Sequence, residues 1–176
     1  VGSETKQGAA STFLYDTLTR LCAALGMDGS EYRRLVAGSF LVSCDNAHAV
    51  HPNHGEFADR NHTARMNGGV VIKYNANQRY TSDAVSAGIF RRICESAGVP
   101  VQYYANRADM PGGSTLGNIS NTQVSLNAVD IGLAQLAMHS PFETAGAADT
   151  VSLVKALTAF FEHSLVAERD GVYRFL

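Results

Sequence analysis

Short apolar runs alternate along this chain with segments of helical period, and that alternation constrains the fold more than any other feature. Phe40 to Cys44, Val70 to Tyr74 and Val99 to Tyr104 are compact runs of strand length. Such continuous runs suit strands buried on both faces. Between and around them lie segments with one apolar face: Leu14, Leu18, Leu21 and Leu25; Val85, Ile89 and Ile93; Val151, Val154, Leu157, Phe161 and Leu165. These predict helices over about Gly8 to Leu25, from Ser82 to Gly98, and near the C-terminal end. Ser82 reads as the N-cap of the middle helix, with Asp83 in its first turn. Ser30-Glu31-Tyr32-Arg33 opens a short second helix, and Val129 to Leu136 reads as one further strand leading into Met138-His139-Ser140. The pattern predicts an α/β fold with a mostly parallel sheet flanked by helices.

Composition narrows the class. The chain has 176 residues, 45% of them hydrophobic, which is one domain's worth of chain with enough apolar surface for a core. A formal charge of −2 without blocks of like charge argues against a nucleic-acid surface. No apolar run is long enough for a membrane span, so neither nucleic acid nor membrane is an expected partner. Three widely spaced cysteines, Cys22, Cys44 and Cys94, suit a reducing cytoplasm better than a disulfide framework. Cys44 reads as a small buried hydrophobe.

In open α/β sheets, ligands gather at the carboxyl ends of strands. Asp45, Lys73, Asp109 and His139 each lie at or just past a predicted strand end. Asp45-Asn46-Ala47-His48-Ala49-Val50-His51-Pro52-Asn53-His54 holds one carboxylate and three imidazoles within ten positions. Carboxylate and imidazole are the donors that a borderline ion such as Zn²⁺ accepts. Side chains alternate on a strand and Pro52 interrupts any regular continuation, so the spacing does not make three ligands of one ion. A polar loop with hydrogen-bonded histidines fits the same residues. His139 reads equally as a satisfied core histidine. Glu143 is placed either to bond its ring or to sit at a helix start. Lys73, inside an apolar strand, needs a carboxylate partner, a route to water or a ligand anion. Gly112-Gly113-Ser114-Thr115 is either an anion cradle or a flexible turn, and it lacks the ending of a nucleotide-binding P-loop.

Taken in order, these segments resemble the aspartyl aminopeptidase family of dinuclear zinc metallopeptidases. Asp45 to Asn53 resembles its hallmark motif and Val71-Ile72-Lys73-Tyr74-Asn75 its lysine-bearing strand. Asp109 to Gly117 resembles its glycine-rich loop. Val129-Asp130-Ile131-Gly132 with Gln135 to Ser140 resembles its last metal-ligand segment. Val1-Gly2-Ser3-Glu4 resembles the stretch after its paired catalytic glutamates. The likeness runs from Val1 to about Phe161.

The resemblance implies that residues 1–176 are the C-terminal part of a metallopeptidase catalytic domain. It implies two Zn²⁺ ions per complete active site, a role other divalent ions can fill. Asp45 is then a ligand of one ion and His139 of the other. His48, Lys73, Gly113, Ser114 and Thr115 are substrate-binding residues, with Lys73 meeting the carboxylate of an N-terminal Asp or Glu. His51 serves local structure or subunit contacts. The general base, the bridging aspartate and the remaining ligands of that family have no counterpart in this sequence, so no catalytic residue is expected here. The implied partners are the N-terminal part of the same enzyme, peptide substrates and further copies in a large homo-oligomer. The isolated chain is expected to be inactive. Rival readings are a non-catalytic scaffold that keeps the fold, and a mononuclear site built from Asp45, His48 and His139.

Overall fold

The structure, a computed structural model, describes residues 4–169 and 171–176. The Val1-Gly2-Ser3 stretch and Asp170 lie outside the described residues. Helices α1 (Phe13–Ala24) and α2 (Gly29–Gly38) precede strands β1 (Phe40–Cys44) and β2 (Ala47–His48). Then come β3 (Val70–Tyr74), α3 (Ala84–Ser96), β4 (Val101–Ala105) and the short α4 (Leu116–Ser120). The chain continues through β5 (Asn127–Gly132), β6 (Ala134–Leu136), β7 (Thr144–Ala145) and α5 (Ala147–Glu162), and ends in a β8 (Leu165–Arg169) and β9 (Val172–Phe175) hairpin.

The main sheet has the order β1-β5-β3-β4. β1 and β5 are parallel, as are β3 and β4, but β5 and β3 meet antiparallel with Ile131 opposite Ile72. Two of these three pairings are parallel, in line with the expected mostly parallel sheet; buried apolar runs encode burial and not direction, so the one antiparallel seam leaves no local signal. The antiparallel seam puts the carboxyl ends of β3 and β4 at the opposite edge from those of β1 and β5. Of the four residues expected to gather at strand ends, Lys73 does reach Asp45, through the Asp45 carbonyl, while Asp109 is exposed and tied to Arg107 at 2.7 Å.

Val70, Ile72, Val129 and Ile131 pack with Phe90, Cys94 and Val99 under α3 and α5. Val71 faces the other way, with Tyr80, Tyr104, Ala47 and Ala134. Strand alternation sends Lys73 to this second face. The expected strand from Val129 to Leu136 is two strands in different sheets. Asn46 breaks it, because its Oδ1 accepts from the Leu133 N–H (3.2 Å) while Ala47 N–H donates to Leu133 O (2.9 Å). That detour starts the small sheet in which β2 pairs with β6 and β6 with β7.

Helix starts follow capping chemistry. Asp28 caps α2 through the Ser30 and Glu31 N–H groups, both at 2.8 Å. Asp83, not Ser82, caps α3: its carboxylate accepts from Ser86 N–H (2.7 Å) and Ser86 Oγ accepts from Asp83 N–H (3.0 Å). Ser82 is drawn away to accept from Asp130 N–H (2.9 Å). α1 begins at Phe13, since Gly8 to Thr12 form turns. Its expected apolar face is only partly covered, with Leu14 and Leu18 half-buried and Leu21 and Leu25 exposed. Cys44 is exposed as well, because it ends β1 at the sheet edge.

Candidate active site

Asp45 follows the last residue of β1. Three contacts fix its main chain. Its N–H donates to Ile131 O (3.0 Å), its carbonyl accepts from Lys73 Nζ (2.8 Å), and Gly132 passes so close that any Cβ there would collide with that carbonyl. The Asp45 carboxylate itself takes no hydrogen bond among the described residues, which leaves both oxygens open to a ligand. His139 has the same availability. It sits in a tight turn after β6 at φ +66°, close behind Ala137 at φ +54°. Left-handed backbone at non-glycine residues costs about 1–3 kcal/mol each and clusters at functional sites. Glu143 holds the turn by accepting from the His139 main-chain N–H at 2.7 Å. It neither bonds the ring nor starts a helix, since α5 begins at Ala147. The imidazole is exposed and free of protein partners among the described residues.

These two open donors, a carboxylate and an imidazole, match what Zn²⁺ accepts. Among the described residues, however, no three His, Cys, Asp or Glu side chains converge on one point, so these residues alone do not complete a metal centre.

His48, the last residue of β2, pairs with Gln135 of β6. It lines a cleft of about 320 Å³ together with Tyr104, Gly113, Gln135 and Ala137. Partial burial, followed by the positive charges of His139 and Lys73, pushes the His48 pKa down and favours a neutral ring. Gly113 shares the cleft wall, which puts the glycine-rich loop beside His48 although that loop leaves β4 at the far edge. Ser114 and Thr115 are occupied elsewhere. Ser114 Oγ accepts from Arg79 (3.3 Å), and Thr115, buried, donates its hydroxyl to Asp130 Oδ1 (2.8 Å). A larger cleft of about 660 Å³, lined by Asn75, Arg79, Asn106 and Arg107, holds neither Asp45 nor any histidine.

Lys73 is 1% exposed. Its ammonium meets the Asp45 carbonyl and stands 5.0 Å from the centre of the Tyr80 ring. Burial pulls its pKa down against the opposing pull of Asp130 and then Asp45. No carboxylate lies within ion-pairing distance of it among the described residues. Buried cations are normally paired, so this one has capacity for an anion.

The residue that sequence reasoning missed is Asp130, fully buried in β5. It accepts from Ser43 Oγ (2.5 Å), Thr115 Oγ1 (2.8 Å) and the Thr81 N–H (2.6 Å). A signal was present: a lone carboxylate in an apolar strand, in a chain whose other apolar strand carries a lysine. The His51 and His54 rings lie 5.1 Å apart at a tilt of 37°, and His51 Nδ1 accepts from Asn53 N–H (3.2 Å).

Residues 1–161 match the family described as Aminopeptidase I zinc metalloprotease (M18). The chain belongs to the M18 family. A probable M18 family aminopeptidase 2 from Pseudomonas aeruginosa is 47% identical over 93% of this chain, and this chain spans 37% of that protein's length. A probable aspartyl aminopeptidase from Ricinus communis is 43% identical over 92% of the chain and 33% of its own length. Among solved structures, the one described as an Ape4 and Nbr1 complex superposes with a TM-score of 0.88 at 39% identity, covering 92% of this chain and 30% of that one. A dodecamer of mApe1 from S. cerevisiae gives 0.78 at 27% identity, with 93% and 36% covered. The mixed sheet with its flanking helices is thus an M18 aminopeptidase fold, and the family is one of zinc metalloproteases. No described helix is long and apolar enough to cross a membrane.

Proposed function

We propose that this chain is part of an aminopeptidase that removes N-terminal residues, acidic ones preferentially, from peptides by means of metal-activated water. The observation that carries this reading is the pairing of two open metal donors, Asp45 and His139, with a buried cation that has no carboxylate partner, Lys73. Asp45 would hold one ion and His139 the other, with the remaining donors and the general base coming from outside residues 1–176. When bound, the two Zn²⁺ ions supply Lewis acidity that lowers the pKa of a water and polarises the scissile carbonyl.

The chain's own residues supply recognition. Lys73 pairs with the side-chain carboxylate of the first residue, a charge-assisted contact that favours Asp and Glu over neutral residues. His48, held neutral, hydrogen-bonds substrate from the cleft wall. Gly113 offers main-chain groups beside it, with Ser114 and Thr115 supporting the same loop. Residues 1–176 alone are inactive in this reading, because two donors without a base assemble no hydrolytic site. By likeness to the mApe1 dodecamer, the complete protein assembles with further copies of itself, and the cysteine usage suits the cytoplasm.

The test is hydrolysis of peptides with N-terminal Asp, Glu or Leu by the complete protein, before and after chelation. Release of acidic residues that stops on chelation and returns with Zn²⁺ supports the reading. A folded, metal-loaded protein that releases no residue overturns it and leaves a non-catalytic module.

A further inference from the structure

Asp130 takes no part in the recognition just described, yet it is fully buried and carries three hydrogen bonds. Its three donors come from three different segments. Ser43 belongs to β1, two residues before Asp45. Thr81 lies between β3 and α3. Thr115 ends the glycine-rich loop at the start of α4. Gly117 completes the arrangement: it passes so close to Ser43 and Thr81 that a side chain there would force the cluster apart. A neutral hydroxyl cluster would be weaker, since hydrogen bonds to a charged acceptor are roughly twice as strong as neutral ones. The loop needs such a tether. Around Gly113 there is open space, and Ser114 has only exposed partners. Thr115 is therefore the point at which the loop is fastened to the sheet.

We propose that Asp130 is a positioning residue: through Thr115 it fixes the glycine-rich loop, and with it Gly113, against the strand end that carries Asp45. This rests on the aminopeptidase reading, in which Gly113 lines the substrate cleft. Asp130 touches no substrate and acts through the loop it holds. Asparagine at this position keeps the shape but removes the charge and sets an amide N–H against the Thr81 N–H or the two hydroxyls.

The experiment uses the complete enzyme and the variants Asp130→Asn, Thr115→Val and the double variant, with KM, kcat and bound zinc measured on each. The expected result is a rise in KM of about tenfold, equivalent to 1.4 kcal/mol, in each single variant, with kcat within about threefold and zinc content unchanged. The double variant is expected to be no worse than Asp130→Asn, because both changes cut the same tether. An unchanged KM, additive losses in the double variant, or zinc loss in step with activity would each overturn the proposal. Should Asp130→Asn fail to fold, Thr115→Val decides alone: a raised KM with kcat and zinc retained supports the tether, and an unchanged KM removes it. A wild-type enzyme with no peptidase activity is a separate outcome, which defeats the aminopeptidase reading itself.

Discussion

The ammonium of Lys73 donates to the main-chain carbonyl of Asp45 across 2.8 Å, so the cation assigned to substrate also steadies the residue assigned to metal. The two roles separate by experiment. Lys73→Met keeps the stem that packs in the sheet and removes the charge. In the complete enzyme it is expected to lower kcat/KM for N-terminal Asp and Glu by about 10- to 100-fold, the worth of a charged hydrogen bond, with a smaller loss on neutral residues. Steady-state kinetics on matched peptides measures both. Equal losses on acidic and neutral substrates would leave Lys73 with its support of Asp45 and nothing more.

Asp45 and His139 are assigned to different ions, which makes their variants distinguishable. Asp45→Ala and His139→Ala are each expected to lower bound metal by about one equivalent per complete site while the protein stays folded, since neither side chain holds a hydrogen bond in the described structure. Elemental analysis after gel filtration measures this. Full metal content in either variant would refute that residue's assignment.

The strands and helices were readable because burial leaves a local record: Val70 to Tyr74 is apolar at nearly every position, and Ile89 and Ile93, both buried, recur at helical spacing. What the sequence hid depends on distant partners. The antiparallel seam between β5 and β3 has no local signature. The break at Leu133 is made by Asn46, and the shift of the α3 cap from Ser82 to Asp83 follows from the reach of Asp130 for Ser82. In the site, the motif order marked Asp45, His48 and His139, while the strained turn that presents His139 and the commitment of Thr115 to Asp130 needed three dimensions. Asp130 itself was within reach of sequence reasoning, because a lone carboxylate inside an apolar strand needs buried hydrogen-bond donors.

Cys94 makes a prediction about alkaline stability. Burial against Phe90 and the sheet raises its pKa from 9.0 to about 12. An acid with a raised folded-state pKa keeps its proton in the native state after the unfolded chain has lost it. Its contribution is therefore intact below about pH 9 and declines as pH rises toward about 12. Tyr104, also raised to about 12, acts in the same direction from about pH 10. Cys94→Ala is expected to flatten the loss of stability between pH 9 and 11, read from urea midpoints at each pH. An unchanged slope would show that Tyr104 or other groups account for it. In the same protein, native Cys94 should resist alkylation at pH 8 and react on unfolding.

Asp149 ties the helix layer to the start of β3. Its side chain, 1% exposed, accepts from the Asn67 N–H (2.6 Å) and the Gly69 N–H (2.8 Å). Asn67 answers through its own Oδ1, which accepts from Ala148 N–H (3.1 Å). This reciprocal pair fixes the chain just before the strand that carries Lys73. It does so at a demanding point, since Gly69 has φ +100° and lies too close to Pro100 for any side chain. Removing the carboxylate strands two N–H groups at once, the buried one of Gly69 and the part-buried one of Asn67. Asp149→Ala is expected to cost about 2–4 kcal/mol of stability, summing two unsatisfied donors. Asp149→Asn, which keeps one acceptor, is expected to cost roughly half that. Chemical denaturation of both variants gives the measurement. A loss below about 0.5 kcal/mol in Asp149→Ala, within the range of an ordinary surface substitution, would mean that water replaces the carboxylate at both amides.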